Sequence, residues 1–298
     1  MIIFPFWMIA GISLIALIIA SITDIKKREV PDFLNFSLIG IGIVLGATLS
    51  IINWIIWPLL AAIGGLAVGY GIGALMYYTG QWGGGDAKML MGLGALHSVA
   101  FLGPNSFILN STFPLFFTII ITIFIAGAGY SLIYLIGLII AHWRRYHQAL
   151  SKKLKEKNLR KQRWIVVSVI ILCIIGIIMT SDLQLKLLIA SFGVLVVLGL
   201  YTSVIVKTAE KALMIKKILV SKLVEGDWIA KNVIVKGEIV CGPKTLGVEK
   251  KHLTLLKKLK VKSVYVKEGV PFIPGFLLGY ILILIFGNWF EILVNSCF

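Results

Sequence analysis

Apolar runs far longer than a soluble core element needs alternate along this chain with short basic blocks. The first, Ile2 to Ile22, spans 21 residues without an acid or a base, enough helix to cross about 30 Å of hydrocarbon. From Phe33 to Gly85 there is no Asp, Glu, Lys or Arg in 53 residues, which is about 80 Å of helix at ~1.5 Å per residue. One crossing cannot absorb that length, so the stretch predicts two. Their turn is expected between Asn53 and Pro58, where Trp54 and Trp57 suit an interface and Pro58 suits the first turn of the next helix. Met89 to Trp143 repeats the pattern over 55 residues free of the same four types, broken by the Gly, Pro, Asn and Ser of the stretch from His97 to Pro114. Further runs at Trp164 to Ser181, Leu187 to Val206 and Gly269 to Phe290 bring the expected crossings to eight.

The polar blocks set the orientation. If the loop after the first helix is cytoplasmic, so are the glycine-rich loop, the stretch from His142 to Arg163 and the segment from Lys207 to Glu268. Together these hold 28 of the 29 Lys and Arg residues, and only Lys186 falls outside. Positive loops stay in the cytoplasm, which puts both termini on the opposite side. The segment from Lys207 to Glu268 mixes a helical pattern (Thr208 to Val224), a strand-like run (Ile229 to Val240), a basic amphipathic run (Glu249 to Lys260) and a second strand-like run (Val261 to Val266). The expected fold class is an all-α polytopic membrane protein with about eight transmembrane helices and a small α+β cytoplasmic insertion before the last. Residues 1–206 form the membrane catalytic domain, 207–268 the insertion, and 269–298 the final helix and tail.

Composition narrows the class further. The 298 residues are 59% hydrophobic and only 14% charged, with a mean hydropathy of +0.98, far from the balance of soluble domains. The net charge of +16 does not point to nucleic acid, because the bases sit in loops between uncharged runs. Ile2 to Ile22 lacks a basic leading region and a small-residue cleavage site, so it reads as a retained helix. Cys173, Cys241 and Cys297 are widely separated and form no C-x-x-C pair, which predicts free thiols, no metal and no cofactor.

Two acidic residues stand out. Asp24 follows the first apolar run in Ser21-Ile-Thr-Asp-Ile-Lys-Lys-Arg-Glu-Val-Pro-Asp-Phe-Leu-Asn35, and Asp86 follows Gly83-Gly84-Gly85 and precedes Ala87-Lys88. Ionisable groups at membrane depth are costly and mark function, although each alone also reads as a solvated helix-end charge. The crossing parity puts both on one face. Glycines before Asp86 cost helix stability and let backbone approach a ligand closely.

Asp24 with Arg28, Pro31 and Asn35, followed about sixty residues on by Gly83-Gly84-Gly85-Asp86-Ala87-Lys88, resembles the G-x-G-D class of membrane aspartyl proteases. The likeness is to the type IV prepilin peptidases, and among them to the archaeal preflagellin (prearchaellin) and prepilin peptidases. It covers Ile2 to Gly103, with weaker similarity at Glu225-Gly226-Asp227 and Pro271-Phe-Ile-Pro-Gly-Phe276. The resemblance implies Asp24 and Asp86 as the catalytic pair, Gly83, Gly84, Gly85 and Lys88 as the active-site loop, and pilin-like or archaellin precursors as substrates. These carry a short basic leader, cut where it meets an apolar helix. Bacterial members carry two C-x-x-C pairs and an N-methyltransferase activity; this chain lacks those cysteines, so cleavage without methylation is expected. Two carboxylates sharing a proton supply a base for water and an acid for the scissile carbonyl. Glu29 and Asp32, with Pro31 and Asn35, are candidate substrate-binding residues, since the rest of that loop would repel a basic leader.

Other features have plainer readings. Gly64, Gly65, Gly69, Gly71 and Gly73 suit close helix packing, with a substrate groove as the alternative. Lys88 pairs with a carboxylate or anchors its helix at the interface. His97, His142, His147 and His252 are scattered over loops and helix ends, with His97 expected opposite the aspartates. The bases from Arg144 to Arg163 suit contact with anionic membrane lipids. Glu225 and Asp227 suit caps, and Pro271 and Pro274 shape the entry to the last helix or line the site. Two rival functions remain open: an ion- or proton-coupled transporter using Asp24 and Asp86, or a noncatalytic assembly scaffold.

Overall fold

The computed structural model describes residues 6–99, 115–235, 238–243, 245 and 247–297. Eight helices come first: α1 (Phe6–Lys27), α2 (Asp32–Asn53), α3 (Trp57–Tyr78), α4 (Gly84–Val99), α5 (Leu115–Ala141), α6 (Trp143–Leu154), α7 (Lys157–Met179) and α8 (Leu183–Ala209). Short strands β1 (Ile215–Leu219), β2 (Trp228–Ile229), β3 (Val233–Val235) and β4 (Glu238–Cys241) precede α9 (Lys250–Lys258), β5 (Ser263–Lys267), α10 (Ile273–Phe286) and α11 (Trp289–Cys297). Packing divides the chain into two units, residues 1–133 with 270–298, and residues 134–269.

Among the described residues six helices are long and apolar enough to cross a membrane, namely α1, α2, α3, α5, α7 and α8. The protein is a multi-pass membrane protein, helical apart from small open sheets. The other two expected crossings correspond to α4, with 16 described residues, and α10, with 14. The run from Gly269 to Phe290 is thus not one helix: Gly287, at φ +63°, ends α10, and α11 begins two residues later. Part of the break expected from His97 to Pro114, residues 100–114, lies outside the described residues.

In the first unit the ends of the helices follow local chemistry. Arg28 adopts φ +59° and its N–H bonds the Asp24 carbonyl at 2.9 Å, closing α1 after a last turn that carries Lys26 and Lys27, where positive charge suits the helix dipole. Asp24 therefore lies inside α1, not after it as the sequence pattern predicts. Pro31 is extended and opens α2, whose first turn holds Asp32. Trp54 at φ +55° ends α2, and Pro58 lies in the first turn of α3, as expected of the tight turn between them.

Helix α4 is buried on nearly every side. Gly65, Gly69 and Gly73 of α3, four residues apart, let the two backbones meet: a Cβ on Gly69 would stand 2.8 Å from the Leu90 carbonyl oxygen, and one on Gly73 3.0 Å from Ala87. Gly64 and Gly71 point into open space instead. Across the other side, Gly42 of α2 sits against the Ala95 carbonyl while Asp32 pairs with Lys88, so α2 and α4 run parallel.

In the second unit β1, β5 and β2 form an antiparallel sheet in that order, and β3 pairs with β4. Leu256 of α9 joins Val220, Ile229, Val264 and Val266 in its core. The helical expectation for Thr208 to Val224 is overturned at Ile215, where the chain passes through a widened helical turn (Glu210–Met214) into β1. All five residues of β1 find partners on β5, and Lys216 pairs with Glu268 at 2.6 Å. The run from Ile229 to Val240 likewise breaks into pieces of β2, β3 and β4, because its apolar residues serve two different sheets.

Gly69→Val should lower the unfolding free energy by about 1–3 kcal/mol through overpacking, while Gly71→Ala should leave it unchanged or slightly raised. Thermal unfolding in detergent compares the two.

Candidate active site

Buried positions on α1 recur every three or four residues, at Ile9, Ser13, Ala16, Leu17, Ala20 and Asp24. Asp24 thus continues the apolar face and is only 7% exposed, although three bases follow it. Its Oδ2 accepts the backbone N–H of Ile273 at 3.1 Å, and the Phe272 N–H and the Arg28 charge also act on it. These amides form the N-terminus of α10, where unbonded N–H groups and the helix dipole favour an anion.

Asp86 occupies the first turn of α4, half-buried, and its Oδ2 accepts the Gly83 N–H at 2.9 Å. The Asp24 and Asp86 carboxylates are near enough to act on each other's charge. The three glycines before Asp86 are not equivalent. A Cβ on Gly85 would lie 2.9 Å from Val30 Cβ, so the glycine loop and the first loop press together there, whereas Gly84 has only the Tyr77 ring at 3.9 Å.

Lys88 pairs with Asp32 at 2.6 Å and lies 5.4 Å from the centre of the Phe36 ring, so Asp32 already has a cation. Glu29 is exposed, and Pro31 serves as the entry residue of α2. Asn35 is fully buried, and neither polar atom of its side chain has a hydrogen-bond partner among the described residues; the Ser21 hydroxyl is in the same condition.

The sequence pattern does not single out Trp82. It is 3% exposed and packs on Phe124, Phe272 and Phe276 with ring centres 5.2–5.4 Å apart. It thereby fixes the glycine loop to the start of α10, which carries the donors to Asp24. Its place beside three glycines was the available signal, and Pro271 and Pro274 were the signal for α10.

The remaining candidates stand elsewhere. His97 is buried in the last turn of α4, bonded to Ser13 at 2.9 Å and packed on Tyr280. His252 belongs to the capping box of α9, and His147 lies against Trp143. Asp227 closes a turn by accepting the Val224 N–H at 2.8 Å. Among the described residues no three His, Cys, Asp or Glu side chains come together as a metal site requires.

Residues 11–142 match the type IV leader peptidase family. This family segment contains both aspartates, the glycine loop and Lys88. The chain is similar to the preflagellin peptidase of Methanococcus voltae, 41% identical over 86 residues, which are 29% of this chain and 36% of the relative. It is similar to the preflagellin peptidase of Methanocaldococcus jannaschii, 40% identical over 82 residues, 28% and 35% of the two chains. The prepilin peptidase EppA of Methanothermobacter thermautotrophicus is 28% identical over 156 residues, 49% of this chain and 39% of that one. The chain thus matches a little over a third of the length of these curated relatives. No solved structure matches it.

Trp82→Ala should cost about 3–5 kcal/mol, as large aromatic truncations in a packed core do. Lys88→Met, which removes a partly exposed ion pair, should cost no more than about 1 kcal/mol. Thermal unfolding of both variants checks the contrast.

Proposed function

We propose that the protein is a membrane aspartyl endopeptidase that removes the short basic leader from type IV pilin-like or archaellin precursors at the cytoplasmic face, without N-methylation. The observation that carries this reading is the placement of Asp24 and Asp86 at the ends of different helices within the family segment, near enough for the Asp24 charge to act on Asp86. The relatives' names supply the leader-bearing substrate. The distribution of Lys and Arg supports the cytoplasmic face and extracytoplasmic termini. The same basic loops suit anionic lipid headgroups.

Two carboxylates near enough to act on one another cannot both ionise readily, so the pair shares one proton. Backbone donors at α10 favour the ionised form on Asp24, which leaves the proton on Asp86. Asp24 then takes a proton from a water whose oxygen attacks the scissile carbonyl carbon, while Asp86 gives its proton to the carbonyl oxygen. The tetrahedral intermediate collapses when Asp24 passes its new proton to the amide nitrogen and the C–N bond breaks. A proton from the intermediate's hydroxyl returns to Asp86, and the free carboxyl and amine leave. Carboxylates at the end of the helices, where a leader meets its apolar segment, suit this reaction better than an ion relay, which needs them near mid-membrane.

Asp24→Asn and Asp86→Asn should each slow cleavage of a tagged precursor by about 10²–10⁴-fold. The wild-type rate should follow a bell-shaped pH profile, since acid protonates both groups and base ionises both. A precursor still processed normally by both variants overturns the reading. Glu29→Lys should slow cleavage of a basic leader more than that of the same precursor with a neutral leader. Asp32→Lys should discriminate less between the leaders, because Lys88 already neutralises Asp32.

A further inference from the structure

We propose that Ser21 and Asn35 bind the peptide backbone of the precursor just beyond the cut, where its helix must be unwound. This rests on the proposed peptidase function and adds the residues that receive the substrate's main chain. Both side chains are buried, and neither has a hydrogen-bond partner among the described residues. For Asn35 this leaves a donor and an acceptor unmatched, a condition that buried amides in native proteins rarely tolerate without a functional reason.

Their position gives the reason. Ser21 lies three residues before Asp24 on α1, about 4.5 Å toward the interior at ~1.5 Å per residue. Asn35 lies in the opening turns of α2, three residues beyond Asp32, which pairs with Lys88, and its backbone carbonyl oxygen faces Gly92 of α4. Since α2 and α4 run parallel, Asn35 too is set inward from the Asp86 end.

The helices carrying these residues fall into two groups. α1 packs chiefly on α10, α2 and α3 pack on α4, and α1 touches α2 and α4 only sparsely. Asp24 and Ser21 therefore lie on one side of a seam and Asp86 and Asn35 on the other. Deeper in the unit the seam is tied by the bond from Ser13 to His97 and the packing of His97 on Tyr280.

A precursor whose scissile bond reaches the aspartates places its next residues one turn inward, at the level of Ser21 and Asn35. An unwound segment there has bare N–H and C=O groups in a medium without water, each costly unless matched. A carboxamide supplies both a donor and an acceptor, and a hydroxyl does the same. The unmatched groups of the enzyme and of the substrate thus satisfy one another where the unwound segment meets Ser21 and Asn35.

The test uses the full-length protein in detergent with a synthetic precursor, and the same precursor carrying an ester in place of one amide in the first three residues after the cut. Asn35→Leu should leave the melting temperature unchanged or raise it, because an unpaired buried amide is lost, while lowering kcat/KM about tenfold or more. Ser21→Ala, a minimal change, should lower kcat/KM severalfold. The ester should slow wild type about tenfold at one or more positions and slow the matching variant much less. Wild-type cleavage with both variants equally active, or with ester effects undiminished in both, overturns this inference and leaves the peptidase reading standing. Failure of wild type to cleave any precursor overturns both.

Discussion

The Asp24 carboxylate accepts the Ile273 N–H from 249 positions further along the chain. A buried carboxylate is tolerable only when its charge is met by donors, and here the donors are the free amides that every helix leaves at its start. Helices α1 and α10 are therefore held together at the level of Asp24. Trp82 extends the tie to the glycine loop by stacking on Phe272 and Phe276, so the donors on one carboxylate and the loop carrying the other belong to one packed cluster.

Around that cluster the helices approach by removing side chains. Gly65, Gly69 and Gly73 bring α3 onto α4, Gly42 brings α2 onto α4, and Gly127 and Gly275 let α5 meet α10. In hydrocarbon there is little hydrophobic drive between helices, so close backbone packing and a few polar ties carry the association. The polar ties are visible away from the aspartates as well, in Ser13 with His97, Thr118 with Asn288, and Trp289 with Thr122. Ser21 and Asn35 have no such partner among the described residues, and of these two only Asn35 leaves both a donor and an acceptor of a carboxamide unmatched; His97 Nδ1 is unmatched as well.

The part of the second unit that follows α8 obeys different rules. Its sheet and α9 enclose a small apolar core with charged residues outside, and its turns are closed by side-chain oxygens such as Asp227 and by the capping box of Glu249 and His252. Water can satisfy exposed polar groups there, so local capping suffices where the membrane helices need long-range partners. Burial pushes the Asp227 carboxyl above its ordinary range, with the nearby Glu268 charge adding to the effect and the Val224 N–H opposing it.

The runs that become α1, α2, α3, α5, α7 and α8, the tight turn at Trp54 and the glycine-rich motif before Asp86 were legible in the sequence, although six long helices among the described residues, not eight, result. Hydrocarbon thickness and the avoidance of buried charge dictate run lengths residue by residue, and the motif is local. The β1 strand was not legible, because Ile215–Leu219 becomes a strand only through its partner β5, nearly fifty residues away. Nor was the break at Gly287, since an apolar run does not record where its backbone bends. The donors to Asp24, the role of Trp82 and the unpaired state of Asn35 were decided by tertiary packing alone. Hydrogen-bond satisfaction depends on what surrounds a group in space, and a linear pattern carries only what lies beside it in the chain.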